Sequence, residues 1–152
     1  VDRNGIADHY TKYSEWLQSL KEMDETEWIT PVSEGKWPPA AIISHIYFWD
    51  TFSLHERFPF IEKNAKLSPY PDFQEFNKEA EKFAASGISK EELLNKLLEI
   101  REEMKEFVNR QSDDMLDAPF YIGEHSLTLR EYLADFASHD LHHQEQIINC
   151  CR

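Results

Sequence analysis

A chain of 152 residues, with 41% hydrophobic and 30% charged side chains, is large and apolar enough to bury a core, which excludes a disordered segment. Its formal net charge of −13, with no Lys/Arg cluster to offset it locally, repels phosphate backbones and anionic lipids and argues against a nucleic-acid partner. No apolar run approaches bilayer length and the opening VDRNGIADHY has no signal-peptide pattern, so one cytoplasmic domain over residues 1–152, with no membrane partner, is expected.

Few glycines and no long β-alternation leave helix as the dominant element. In the first block, from about Gly5 to Met23, Ile6, Tyr10, Tyr13, Trp16, Leu17 and Leu20 form one apolar stripe. A Pro- and Gly-bearing connection follows. Pro38 and Pro39 suit the first turn of a second helix that runs to about Arg57, is apolar on several sides, and is ended or kinked by Pro59. A shorter helix is expected near Asp72 to Ala85. Ser89–Glu92 reads as a capping box opening the third long helix, to about Gln111. Residues 113–127 read as a loop, extended at most over Phe120–Ile122. Thr128–Glu131 is a second capping box and opens the last helix. The expected fold is all-α, a four-helix bundle with an extra short helix between helices 2 and 3. The adjacent Cys150 and Cys151 at its end permit no disulfide framework and are expected to be ordinary thiols.

The chemistry lies in the histidines. His139 and His143 are four residues apart, so both leave one helix face one turn apart and can reach a single ion. Tyr132, Phe136 and Ile147 share that face, whereas His142 falls with Asp135, Ser138 and Asn149 on the polar flank. His45 aligns with Ile42, Trp49 and Phe52 on a core-facing stripe of the second helix. Three neutral imidazoles buried together lack partners, and a divalent cation supplies one; a hydrogen-bonded core histidine is the plainer alternative for His45 alone. The Glu-x-x-His pairs of carboxylate di-iron bundles and a His-Glu-x-x-His element are both absent, leaving a three-histidine mononuclear site with an open position. Asp140 and Gln146 are candidates to orient the imidazoles, with solvated or capping roles equally open. Asp50 points well away from His45 on an ideal wheel and is read as structural. Cys150 lies two turns past His143, too far to share an ion. His9, His55 and His125 are expected at the surface.

The segments Gly35–Ile46, Ser126–Leu133 and His139–Ile147 resemble the DinB-like superfamily of four-helix-bundle metalloproteins, including its YfiT-type members. The resemblance covers essentially the whole chain. It implies His45, His139 and His143 as metal ligands, a nickel or zinc ion, and a homodimer. It also implies either a thiol-dependent S-transferase of the bacillithiol type or a hydrolase, with a small-molecule thiol or ester as substrate. The sequence leaves open a non-catalytic dimeric stress-related protein with a structural or vestigial metal site. The substrate pocket is expected among Glu34–Trp37, Pro69–Phe73 and Phe120–Ser126.

Overall fold

The four long amphipathic segments must bury their stripes against one another, and they do so as a bundle. The computed structural model describes residues 2–150. Helix α1 spans Arg3–Ser19 and a short α2 spans Glu25–Trp28; α3 is Pro39–Phe52 and α4 is Phe73–Ala84. The third and fourth long helices are α5, Lys90–Arg110, and α7, Leu129–Cys150, with a one-turn α6 at Asp113–Asp117 between them. α1 packs on α5 and α7, and α3 packs on the same two helices, so α1 and α3 stand diagonally across the bundle. The long connection through α2 spans that diagonal.

Local chemistry sets the boundaries. The side chains of Asp2, Asp72 and Ser89 accept from backbone N–H groups in the first turns of α1, α4 and α5. At the start of α7 the capping box is reciprocal: the Glu131 carboxylate accepts from Thr128 N–H at 3.0 Å, and Thr128 Oγ1 accepts from Glu131 N–H at 3.1 Å. After Phe52 the chain widens into a π-helical turn, Ser53–Arg57, and Pro59 sits in a final 3₁₀ turn, Phe58–Phe60.

Part of the structure departs from the sequence reading. Residues 113–127 hold α6 and a hairpin rather than a loop: β2, Pro119–Ile122, pairs antiparallel with β3, His125–Thr128, around Gly123 at φ 60°. A two-residue β1, Lys66–Leu67, adds parallel to β2. Cys150 is disulfide-bonded rather than an ordinary thiol; Cys151 lies outside the described residues. No helix among the described residues is long and apolar enough to cross a membrane.

The core has two apolar clusters. One gathers Ile6, Tyr10, Met104, Val108, Phe120 and Tyr132; the other gathers Tyr13, Leu17, Ile43, Leu94, Leu97 and Ile147. On each long helix the boundary between them carries a polar residue: His9, Asp50, Arg101 and Asp140. Arg101, 1% exposed, donates from Nη1 and Nη2 to the two oxygens of Asp140 and from Nε to Asp50, each at 2.6 Å. His9 Nε2 lies 2.9 Å from Asp140, and the guanidinium stacks on the Tyr13 ring at 4.6 Å. Asp50 is therefore a structural partner of Arg101, as its wheel position suggested. His9 departs from the surface role expected of it, because its side chain reaches inward to a buried carboxylate. Removing the shared cation leaves buried Asp50 unpaired and buried Asp140 with His9 alone. Arg101→Met is expected to cost about 3–5 kcal/mol in urea unfolding, and a loss below about 1 kcal/mol would show that the network is not what joins the helices.

Candidate metal centre

Helices α3 and α7 are neighbours, and that adjacency brings together residues far apart in sequence. His45 and His143 are 7% and 8% exposed, and His139 is half-buried. His143 Nε2 lies 3.1 Å from His139 Nε2, which lies 3.4 Å from His45 Nε2; the three donor atoms fall within 4.8 Å of one another. Imidazole nitrogens about 2.0–2.1 Å from a tetrahedral ion stand about 3.3 Å apart. The cluster therefore has the size of a coordination sphere.

The tautomers point the same way. Trp49 Nε1–H can only donate, so the Asn77 atom 3.0 Å from it is the carbonyl oxygen. That oxygen also sits 2.9 Å from His45 Nδ1, which must then carry its proton and leave Nε2 as a bare lone pair. Gln146 Oε1 does the same for His143 Nδ1 at 2.7 Å. Two lone pairs thus face the His139 nitrogen across a space where no protein donor serves them all. Burial, followed for His45 by the repulsion of His143, lowers the pKa values of His45 and His143 to about 4, and burial also lowers His139. All three are neutral near pH 7, the form that ligates metal.

Of the other candidates, Gln146 orients a histidine of the cluster. Asp140 does not: its carboxylate is taken by Arg101 and His9, and those interactions hold it below the usual range although burial opposes its ionisation. His142, His55 and His125 are exposed. Asn77, on α4, was missed by sequence reasoning; no local pattern links it to His45, 32 residues away.

A cavity of about 240 Å³ opens on the cluster. Its walls are His45 and Trp49 from α3, Tyr70 and Phe73 from the segment leading into α4, and Asp135, Phe136 and His139 from α7. A second, smaller opening of about 150 Å³ reaches His143 and Gln146 past Gly35, Lys36 and Trp37. The expected pocket segments around residues 34–37 and 69–73 are therefore in place. Residues 120–126 are not, because Phe120 and Ile122 are buried in the other core cluster and Gly123 and Glu124 line a separate surface hollow.

The family model of the DinB superfamily matches residues 9–147. Among solved structures, YfiT from Bacillus subtilis, described as a probable metal-dependent hydrolase with an unusual four-helix bundle topology, superposes with a TM-score of 0.80 at 19% identity, covering 97% of this chain and 85% of that one. No curated protein matches significantly in sequence.

The lowered histidine pKa values carry a sign. Above about pH 6.5 the histidines are neutral folded and unfolded; between about 6.5 and 4 the unfolded chain takes up protons that folded His45 and His143 refuse. Stability of the metal-free protein is expected to fall across that window on acidification, more steeply than in His45→Gln/His143→Gln. Equal slopes in chelator-treated urea titrations would contradict the assigned environment.

Proposed function

The chain belongs to the DinB superfamily, and from that premise we propose that it is a metal-dependent hydrolase whose ion is held by His45, His139 and His143. The observation that carries this reading is the convergence of three Nε2 atoms at coordination spacing, with two of the rings locked in the ligating tautomer by Asn77 and Gln146. A structural ion would be enclosed by protein ligands, whereas this cluster faces a cavity. Nickel and zinc both suit an all-imidazole set.

A divalent ion in that position supplies Lewis-acid chemistry, polarising a substrate carbonyl and lowering the pKa of water. The chain's own residues do the rest. Trp49, Tyr70, Phe73 and Phe136 give the cavity an apolar wall that binds an acyl or aryl group and limits bulk water. Asp135, the carboxylate in that wall, takes up the proton released by attacking water and returns it to the leaving group. Asn77 and Gln146 keep their imidazoles from rotating as charge develops.

The second opening, at His143, favours one other reading: a thiol-dependent S-transferase in which a low-molecular-weight thiol enters beside Trp37 and the electrophile from the larger cavity. Ester hydrolysis that a small thiol neither requires nor accelerates would decide against it. A homodimer is retained as part of the proposal.

Purified without a nickel column, the protein is expected to carry about one zinc or nickel ion per chain by elemental analysis. His139→Ala should lose the ion together with activity on aryl esters. A wild-type protein without stoichiometric metal, or an unchanged metal content in His139→Ala, would refute the proposal. Asp135→Asn is expected to keep its metal and lose about 10²-fold in kcat; an unchanged kcat would remove Asp135 from the mechanism.

A further inference from the structure

Two arginines are buried among the described residues, and they are treated differently. Arg101 has a carboxylate for each edge of its guanidinium. Arg57 is as deeply buried, at 1% exposure, yet its Nε and Nη2 atoms have no hydrogen-bond partner and it forms no ion pair among the described residues. Its guanidinium instead lies over the faces of Phe52, at 4.9 Å, and Tyr70, at 5.1 Å. Ring faces attract the cation but cannot accept the in-plane N–H bonds at its edge. A buried guanidinium with empty donors is a poor structural element and a good receptor for an oxyanion.

Its position is specific. The π-helical turn Ser53–Arg57 breaks the regular spacing of α3, and both Ser53 and Arg57 end up buried. Ser53 Oγ meets the Tyr132 hydroxyl at 2.5 Å, and Tyr70 hydrogen-bonds the same tyrosine. Tyr70 also lines the cavity that opens on the three histidines, so Arg57 stands one side chain behind that cavity's wall. Tyr70 belongs to residues 68–72, which have no regular secondary structure and therefore no backbone ladder holding the ring in place. Asp135 faces the same cavity but is exposed, where solvent screens it.

We propose that Arg57, with the hydroxyls of Tyr70, Tyr132 and Ser53, is an oxyanion-recognition subsite behind the Tyr70 wall of the cavity, reached past that ring, selecting elongated, largely apolar substrates that end in a carboxylate or phosphate-like group. Ser53 is eight residues from His45 on one chain segment and Tyr132 is seven from His139 on α7, which puts the anion about 10–12 Å from the reacting bond at 1.5 Å per residue. The inference rests on the hydrolase reading for the reactive end of the substrate, while anion binding is measurable without turnover.

Calorimetric titration of the zinc-loaded protein with phenylhexanoate, its neutral primary amide and the corresponding phosphonate tests it. The wild type is expected to bind the carboxylate or the phosphonate at least about ten-fold tighter than the amide, and the tighter of the two identifies the oxyanion. Arg57→Gln should abolish the preference without lowering the ligand-free melting temperature, and Arg57→Lys, which keeps the charge but not the planar fork, should retain part of it. Equal affinity for acid and amide in the wild type would overturn the subsite. So would a preference that survives Arg57→Gln, or one that vanishes in His139→Ala, which would place the anion on the metal. Arg57-dependent discrimination in a protein that hydrolyses nothing would refute the hydrolase and leave the subsite standing.

Discussion

One cation joins the four long helices of this protein. Arg101 projects from α5 and binds carboxylates on α3 and α7, while α1 closes the set through His9 on Asp140. A network of this kind contributes little net stability compared with well-packed apolar residues, but it admits few alternative arrangements, because any shift of one helix strands a buried charge. Its members are close sequence neighbours of the histidine cluster: Asp140 follows His139, and Asp50 lies five residues after His45. Fixing the rotation of α7 on α3 at this level fixes where the three imidazoles point. Packing alone would not, since the apolar clusters on either side consist largely of interchangeable aliphatic and aromatic side chains.

The network and the histidine cluster divide the labour of burying polar groups. In the first, charges are matched within the protein; burial pushes Asp50 toward its neutral form while Arg101 draws it back. In the second, neutral imidazoles are held with the lone pairs of His45 and His143 converging on the His139 nitrogen, and no single protein donor serves them all. The first arrangement is complete as folded. The second leaves nitrogen lone pairs unserved, and Arg57, behind the Tyr70 wall of the adjoining cavity, leaves Nε and Nη2 without acceptors.

What could be read in the sequence follows from the range of the interaction involved. The long helices, the capping boxes and the His139/His143 pair depend on spacings of three or four residues, and the one-dimensional pattern displays them directly. His45 was legible because its stripe is otherwise apolar. The hairpin at Pro119–Thr128 was read as a loop because four-residue strands carry almost no periodic signal. His9 and Asn77 were missed because their roles depend on partners 131 and 32 residues away across the bundle, and nothing in their own neighbourhoods distinguishes them from surface polar residues. Arg57 was invisible for the same reason, since its burial depends on a π-helical turn and on Tyr70 from a separate segment.

The proposed coordination sphere takes three imidazoles from α3 and α7 and leaves room for an exogenous ligand. Anomalous diffraction at the absorption edge of the bound metal, from crystals of the protein as purified, addresses it most directly. A single strong peak per chain is expected, bonded to the Nε2 atoms of His45, His139 and His143 at about 2.0–2.1 Å, with at least one remaining position facing the Trp49–Phe136 cavity. A peak coordinated through other residues, or one whose positions are all filled by protein atoms, would contradict it.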